Sequence, residues 1–116
     1  ICRLCSLVHR LHLFEGMEID ALILLTFTKR FAQNSAAAFV EMVREAIPFT
    51  HLVLGHDAAL GRDRQGSRSI MLELGDKWGF SVHYVEEYRF AGKPVSTSIV
   101  RQALKEGDLP LVEDLL

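Results

Sequence analysis

Asp20-Ala21-Leu22-Ile23-Leu24-Leu25 is an acidic residue followed by a run of apolar ones with no polar residue between them. Such a run reads as a parallel strand covered on both faces, since a strand with one wet face alternates. Before it, Leu4, Leu7, Val8, Leu11 and Phe14 recur at helical spacing, with Arg3, Ser6, His9, Arg10 and Glu15 opposite them. This predicts an amphipathic helix from Leu4 that ends near Gly16. A helix feeding a buried strand makes the chain α/β. After the run, Ser35 is placed to cap a helix carrying Phe39, Val40, Val43 and Ile47, and Pro48 stops it. His51-Leu52-Val53-Leu54 then reads as a second buried strand, opening into the loop from Gly55 to Gly66. Ser67 starts a helix with Ile70, Met71, Leu74 and Trp78 on one face, and Gly79 closes it. Phe80 to Val85 alternates, which predicts a third strand nearer an edge.

The length of 116 residues and a hydrophobic content of 49% suit one domain with one core. With 13 basic and 15 acidic residues the net charge is −2, and no basic face points to nucleic acid. No apolar run reaches membrane-spanning length, so no membrane partner is expected. Cys2 and Cys5 stand three apart on the predicted helix with no second pair to complete a zinc site. They read as buried or idle thiols in a reducing cytoplasm, which is the expected location. His9 and His12 share a helix face without an accompanying carboxylate motif, so they read as surface or packing histidines and no metal site is assigned. Ile1 opens directly into a helical pattern, as in a piece of something longer, and residues 1–116 show no repeat or second domain.

Lys93-Pro94-Val95-Ser96-Thr97-Ser98-Ile99-Val100-Arg101 carries the chemistry. A Gly92-Lys93-Pro94 turn leads into three hydroxyl residues, and Ile99, Val100, Ala103 and Leu104 then take up helical spacing. Hydroxyls at a helix start cap free amides, and those amides together with the helix dipole favour a phosphate group. Arg101 follows Ser98 by three, so its guanidinium shares that face and leans back toward the N-terminus. The local pattern alone also fits an ordinary capped surface helix. The helix runs to Gly107, after which Asp108-Leu109-Pro110 caps a short helix through Leu116.

Pro94 to Arg101 resembles the Pro-Val-Ser-Ser-Thr-x-Ile-Arg motif of the nucleotidylyltransferases. The resemblance is specifically to the adenylyltransferase domain of bacterial bifunctional riboflavin kinase/FAD synthetase. Thr97 and Ser98 exchange the family's Ser and Thr, and both keep the oxygen. Phe27, Thr28, Phe31, Ala32, Ser35 and Phe39 match the family's Pro-Phe-Thr-x-x-Phe-Ala-x-x-Ser-x-x-x-Phe segment, with Thr26 for its proline. Gly55, Asp57 and Gly61 match a Gly-x-Asp-Phe-Arg-Phe-Gly loop, but Ala58-Ala59-Leu60 replace Phe-Arg-Phe and remove two rings and a cation. Ala103, Leu104, Gly107 and Asp108 match the Ala-Leu-x-x-Gly-Asp that precedes the kinase module.

The resemblance implies transfer of AMP from ATP to FMN, giving FAD and pyrophosphate, with Mg2+ on the phosphates. It implies that Ser96, Thr97, Ser98 and Arg101 hold the ATP phosphates, with Arg101 as the catalytic cation. Gly55, Asp57 and Gly61, with Phe27 and Phe31, would line the flavin side, and a riboflavin kinase module would follow. The implied fold is a Rossmann-like nucleotidylyltransferase fold with a five-stranded parallel sheet. Residues 1–116 are then a partial domain holding three of those strands. The strand bearing the family's His-x-Gly-His and the next one, absent from this sequence, would lie between those at Ala21 and His51. The segment is expected to be marginal or to pair those two strands directly, and by itself to lack catalysis. The altered loop leaves open a nucleotidylyltransferase with another phosphorylated acceptor. The absent histidines leave open a non-catalytic nucleotide-binding module.

Overall fold

The computed structural model describes residues 3–116, so Cys2 lies outside the described residues. It is a mixed α/β structure with a small parallel sheet, and its contacts divide it into two units. One is Thr26–Glu87, and the other joins the residues up to Leu25 with Tyr88–Leu116.

In Thr26–Glu87, helix α2 (Ala36–Ala46) starts where Ser35 Oγ accepts the Ala38 amide at 3.1 Å. It ends at Ile47, which turns extended because a residue before proline avoids helical backbone. Strand β1 (His51–Leu54), helix α3 (Arg68–Trp78) and strand β2 (Ser81–Tyr84) follow as a βαβ unit. The strands run parallel, with His51 opposite Ser81 and Leu54 opposite Tyr84. Gly79 takes the left-handed conformation that ends α3. At Gly75 the helix comes so close to β2 that a Cβ would meet the Phe80 carbonyl oxygen at 2.6 Å. The core is Ala36, Val40, Met71 and Phe80, against which Leu52, Leu54 and Val82 pack.

β1 corrects the expectation of a strand buried on both faces. Leu52 and Leu54 face the core, while His51 and Val53 are exposed, so helices cover one face only among the described residues. The alternation expected of the following strand is seen in β2.

The larger correction is at Ala21–Leu25. Residues 21–28 form neither helix nor strand, and Leu22, Ile23, Leu24 and Leu25 are 42%, 49%, 60% and 47% exposed. A strand is held by a ladder to a neighbour, and the parallel sheet contains β1 and β2 alone among the described residues. Of the three strands expected, two form, and the Ala21 run expected to pair with the strand at His51 takes no strand conformation.

The other unit begins with α1 (Leu7–Glu15), which starts later than Leu4 because Ser6 is its N-cap, accepting the His9 amide at 3.2 Å. Cys5 therefore precedes the helix and is a free thiol. α1 fully buries none of its residues: Leu11 is half-buried, and Leu7, Val8 and Phe14 of the apolar face read from the sequence are exposed. Strands β3 (Arg89–Phe90) and β4 (Lys93–Pro94) form a small hairpin. Its turn is Ala91-Gly92, both with positive φ, rather than Gly92 to Pro94. Helix α4 (Thr97–Glu106) ends at the left-handed Gly107. Helix α5 (Leu109–Leu115) is capped by Asp108 Oδ1, which accepts the Leu111 amide at 3.1 Å. Val100, Ala103 and Val112 are buried where these two helices meet.

Candidate functional site

The hydroxyl stretch stands at the start of α4. Ser96 is the N-cap: its Oγ accepts the Ile99 amide at 3.4 Å, and its carbonyl accepts the Val100 amide at 3.1 Å. Helix geometry leaves the Thr97 and Ser98 amides without an intrahelical acceptor, at the positive end of the dipole. Arg101 reaches back along the helix, as its direction from the backbone requires, and its Nη1 donates to Thr97 Oγ1 at 3.2 Å. The sequence placed Arg101 on the face of Ser98, three residues before it. The observed partner is four residues before, a spacing that also shares a helix face. The structure thus gathers Ser96, Thr97, Ser98 and Arg101 at one helix end, with amide donors, hydroxyls and a guanidinium together. That set can hold an anion with several oxygens.

In Thr26–Glu87 the residues assigned to the flavin side divide. Phe27, Phe31, Ala32, Asn34, Phe39, Ala59, Leu60 and Gly61 line a cleft of about 190 Å3. Phe31 meets both Phe27 and Phe39 edge to face, with ring centroids 5.5 and 6.0 Å apart. Phe27 is 76% exposed, so one ring is offered to solvent at the rim. Gly61 holds the loop against the start of α2. Its φ is +77°, and a Cβ there would collide with the Ala36 backbone. The Arg62 amide donates to the Asn34 carbonyl at 2.8 Å and fastens the same junction.

Gly55 and Asp57 do not line this cleft. They form a turn in which the Ala58 amide donates to the Gly55 carbonyl, and the Asp57 carbonyl accepts Arg64 Nη2 at 2.8 Å. Asn34 and Phe39 do line it. The sequence had offered Phe39 as a family match and as a helix-face residue, and Asn34 carried no signal. Ala59 and Leu60 give the cleft an aliphatic wall where the resemblance would place an arginine and a ring. His9 and His12 lie on exposed α1, His12 Nδ1 sitting 3.1 Å from Glu15 Oε2. Among the described residues no three or more His, Cys, Asp or Glu gather as a metal site. Nor is any described helix long and apolar enough to cross a membrane.

Residues 1–99 match the family model described as FAD synthetase. A bifunctional riboflavin kinase/FMN adenylyltransferase of Haemophilus influenzae is 28% identical over 98% of this chain and 37% of its own length. One from Pseudomonas fluorescens is 33% identical over 87% of this chain and 33% of its own length. The chain therefore spans about a third of the length of these relatives. The crystal structure of a macrolide-efflux protein from Streptococcus pneumoniae matches 95% of this chain and 41% of its own, with TM-score 0.77 and 22% identity. That likeness is one of fold alone.

Proposed function

The chain belongs to the FAD synthetase family, and on that premise we propose that its protein transfers AMP from ATP to FMN, forming FAD and pyrophosphate. The observation that carries this reading is the start of α4, where Arg101 donates to the Thr97 hydroxyl beside the first-turn amides of Thr97 and Ser98. Such a site suits the ATP phosphates. The aromatic cleft of Phe27, Phe31 and Phe39 suits the flavin ring system. An FMN phosphate oxygen attacks the α-phosphorus in line. As that P–O bond forms, the bond to the bridging oxygen of the β-phosphate breaks, and its electron pair leaves with pyrophosphate. No covalent protein residue is required; positioning and fixed positive charge carry the step.

Mg2+ is proposed to arrive on the ATP phosphates, which together with water satisfy most of its coordination. The fold is proposed to be the Rossmann-like nucleotidylyltransferase type, the location the cytoplasm, and a riboflavin kinase module part of the full-length protein. A second reading, a different phosphorylated acceptor, is favoured by one observation: Ala59 and Leu60 wall the cleft in place of an arginine and a ring.

Loss of a charge-assisted hydrogen bond costs about 1.5–3 kcal/mol. In full-length protein, Arg101→Ala is therefore expected to raise the ATP concentration required for FAD formation at least about tenfold. Unchanged ATP dependence would remove Arg101 from the site.

A further inference from the structure

Arg3, Arg10 and Arg101 line one open cavity of about 250 Å3 together with Leu4, Cys5 and Thr97. Arg3 belongs to the segment before α1, Arg10 to α1 itself, and Thr97 and Arg101 to the first turns of α4. Residues from distant parts of the sequence thus bring a third and a second guanidinium to the helix end where Arg101 already meets Thr97. Like charges around one cavity repel, and water screens that repulsion only in part. An anion in the cavity would offset it.

Size narrows the choice of anion. One water occupies about 30 Å3 of liquid, so the cavity has room for a group with the volume of several waters, as a phosphoanhydride is. Guanidinium groups suit it, because their forked donors match phosphate oxygens in pairs.

We propose that Arg3 and Arg10 are phosphate-binding residues, which join Arg101 to hold the pyrophosphoryl end of the nucleotide in this cavity. The proposal rests on the reading of the α4 start as the ATP phosphate site. It adds cations where charge develops as the bond to the β-phosphate breaks. The hydroxyl stretch supplies one guanidinium to that charge, and Arg3 and Arg10 supply two more.

The test is calorimetric titration of the full-length protein with inorganic pyrophosphate at low salt, with FMN titrated as a control on folding. Arg3→Gln and Arg10→Gln are each expected to weaken pyrophosphate about tenfold or more and to leave FMN affinity unchanged. The charge-retaining Arg3→Lys and Arg10→Lys should recover part of the loss. Unchanged pyrophosphate affinity in both Gln variants, with Arg101→Ala still weakening it, would overturn the role of Arg3 and Arg10 while the α4 phosphate site stood. Unchanged affinity in all three variants would overturn both. A parallel loss of FMN affinity would also overturn the proposal, since damage to the fold would then explain the change.

Discussion

The stretch Thr26–Glu87 and the remainder of the chain differ in what their apolar residues find to lie against. In the first, Met71, Val40 and Phe80 are 0%, 2% and 6% exposed, and both parallel strands lean one face on them. In the second, α4 and α5 bury Val100, Ala103 and Val112 against each other, yet α1 fully buries none of its residues and Leu22 to Leu25 lie open. A helix satisfies its backbone internally and needs only caps and one apolar neighbour. A strand forms only when another strand lends it donors and acceptors. The difference between the two regions is one of partners, because the Ala21 run is as apolar as any strand in the chain.

The largest effect should come from the middle of the better-packed region. Met71→Ala is expected to destabilise the chain by about 2–5 kcal/mol, with amide protection lost in β1, α3 and β2. A loss below about 1 kcal/mol in chemical denaturation would mean that Met71 does not centre that core. Gly61→Ala should come next, at about 1–3 kcal/mol, because the new Cβ meets the α2 backbone at a positive φ. Measured against Gly92→Ala, where nothing lies within 4 Å of the added atom, it separates close approach from strain alone. Equal losses at the two positions would mean the loop is not seated on α2. The smallest effect should be Ile23→Thr, within about 0.5 kcal/mol in the 116-residue chain. A loss of several kcal/mol there would show that the Ala21 run has a partner and would erase the contrast.

What could be read in the sequence follows the same division. Ser35, Ser96, Asp108, Gly79 and Gly107 announce helix ends through chemistry contained within a few residues, and all five act there. The Ala21 run failed because strand formation depends on a neighbour the run cannot encode. His51 to Leu54 was misjudged on one face for a related reason, since covering that face is the work of other elements. At the candidate site, the hydroxyls and Arg101 were legible as a local motif. Arg3 and Arg10 were not, because only the folded chain brings them to Thr97. Gly55 and Asp57 belong to a motif that includes Gly61, but the turn they form leaves them outside the cleft that Gly61 lines.

Phosphate at the start of α4 and flavin in the aromatic cleft are the two assignments proposed for this protein. Steady-state FAD formation by full-length Arg101→Ala and Phe31→Ala tests both assignments at once, with ATP and FMN varied separately. Arg101→Ala should raise the KM for ATP at least about tenfold with little change for FMN. Phe31→Ala should raise the KM for FMN about two- to tenfold, the scale of an aromatic pair, with little change for ATP. A reversed pattern, or two variants indistinguishable from the parent in both titrations, would contradict the assignment.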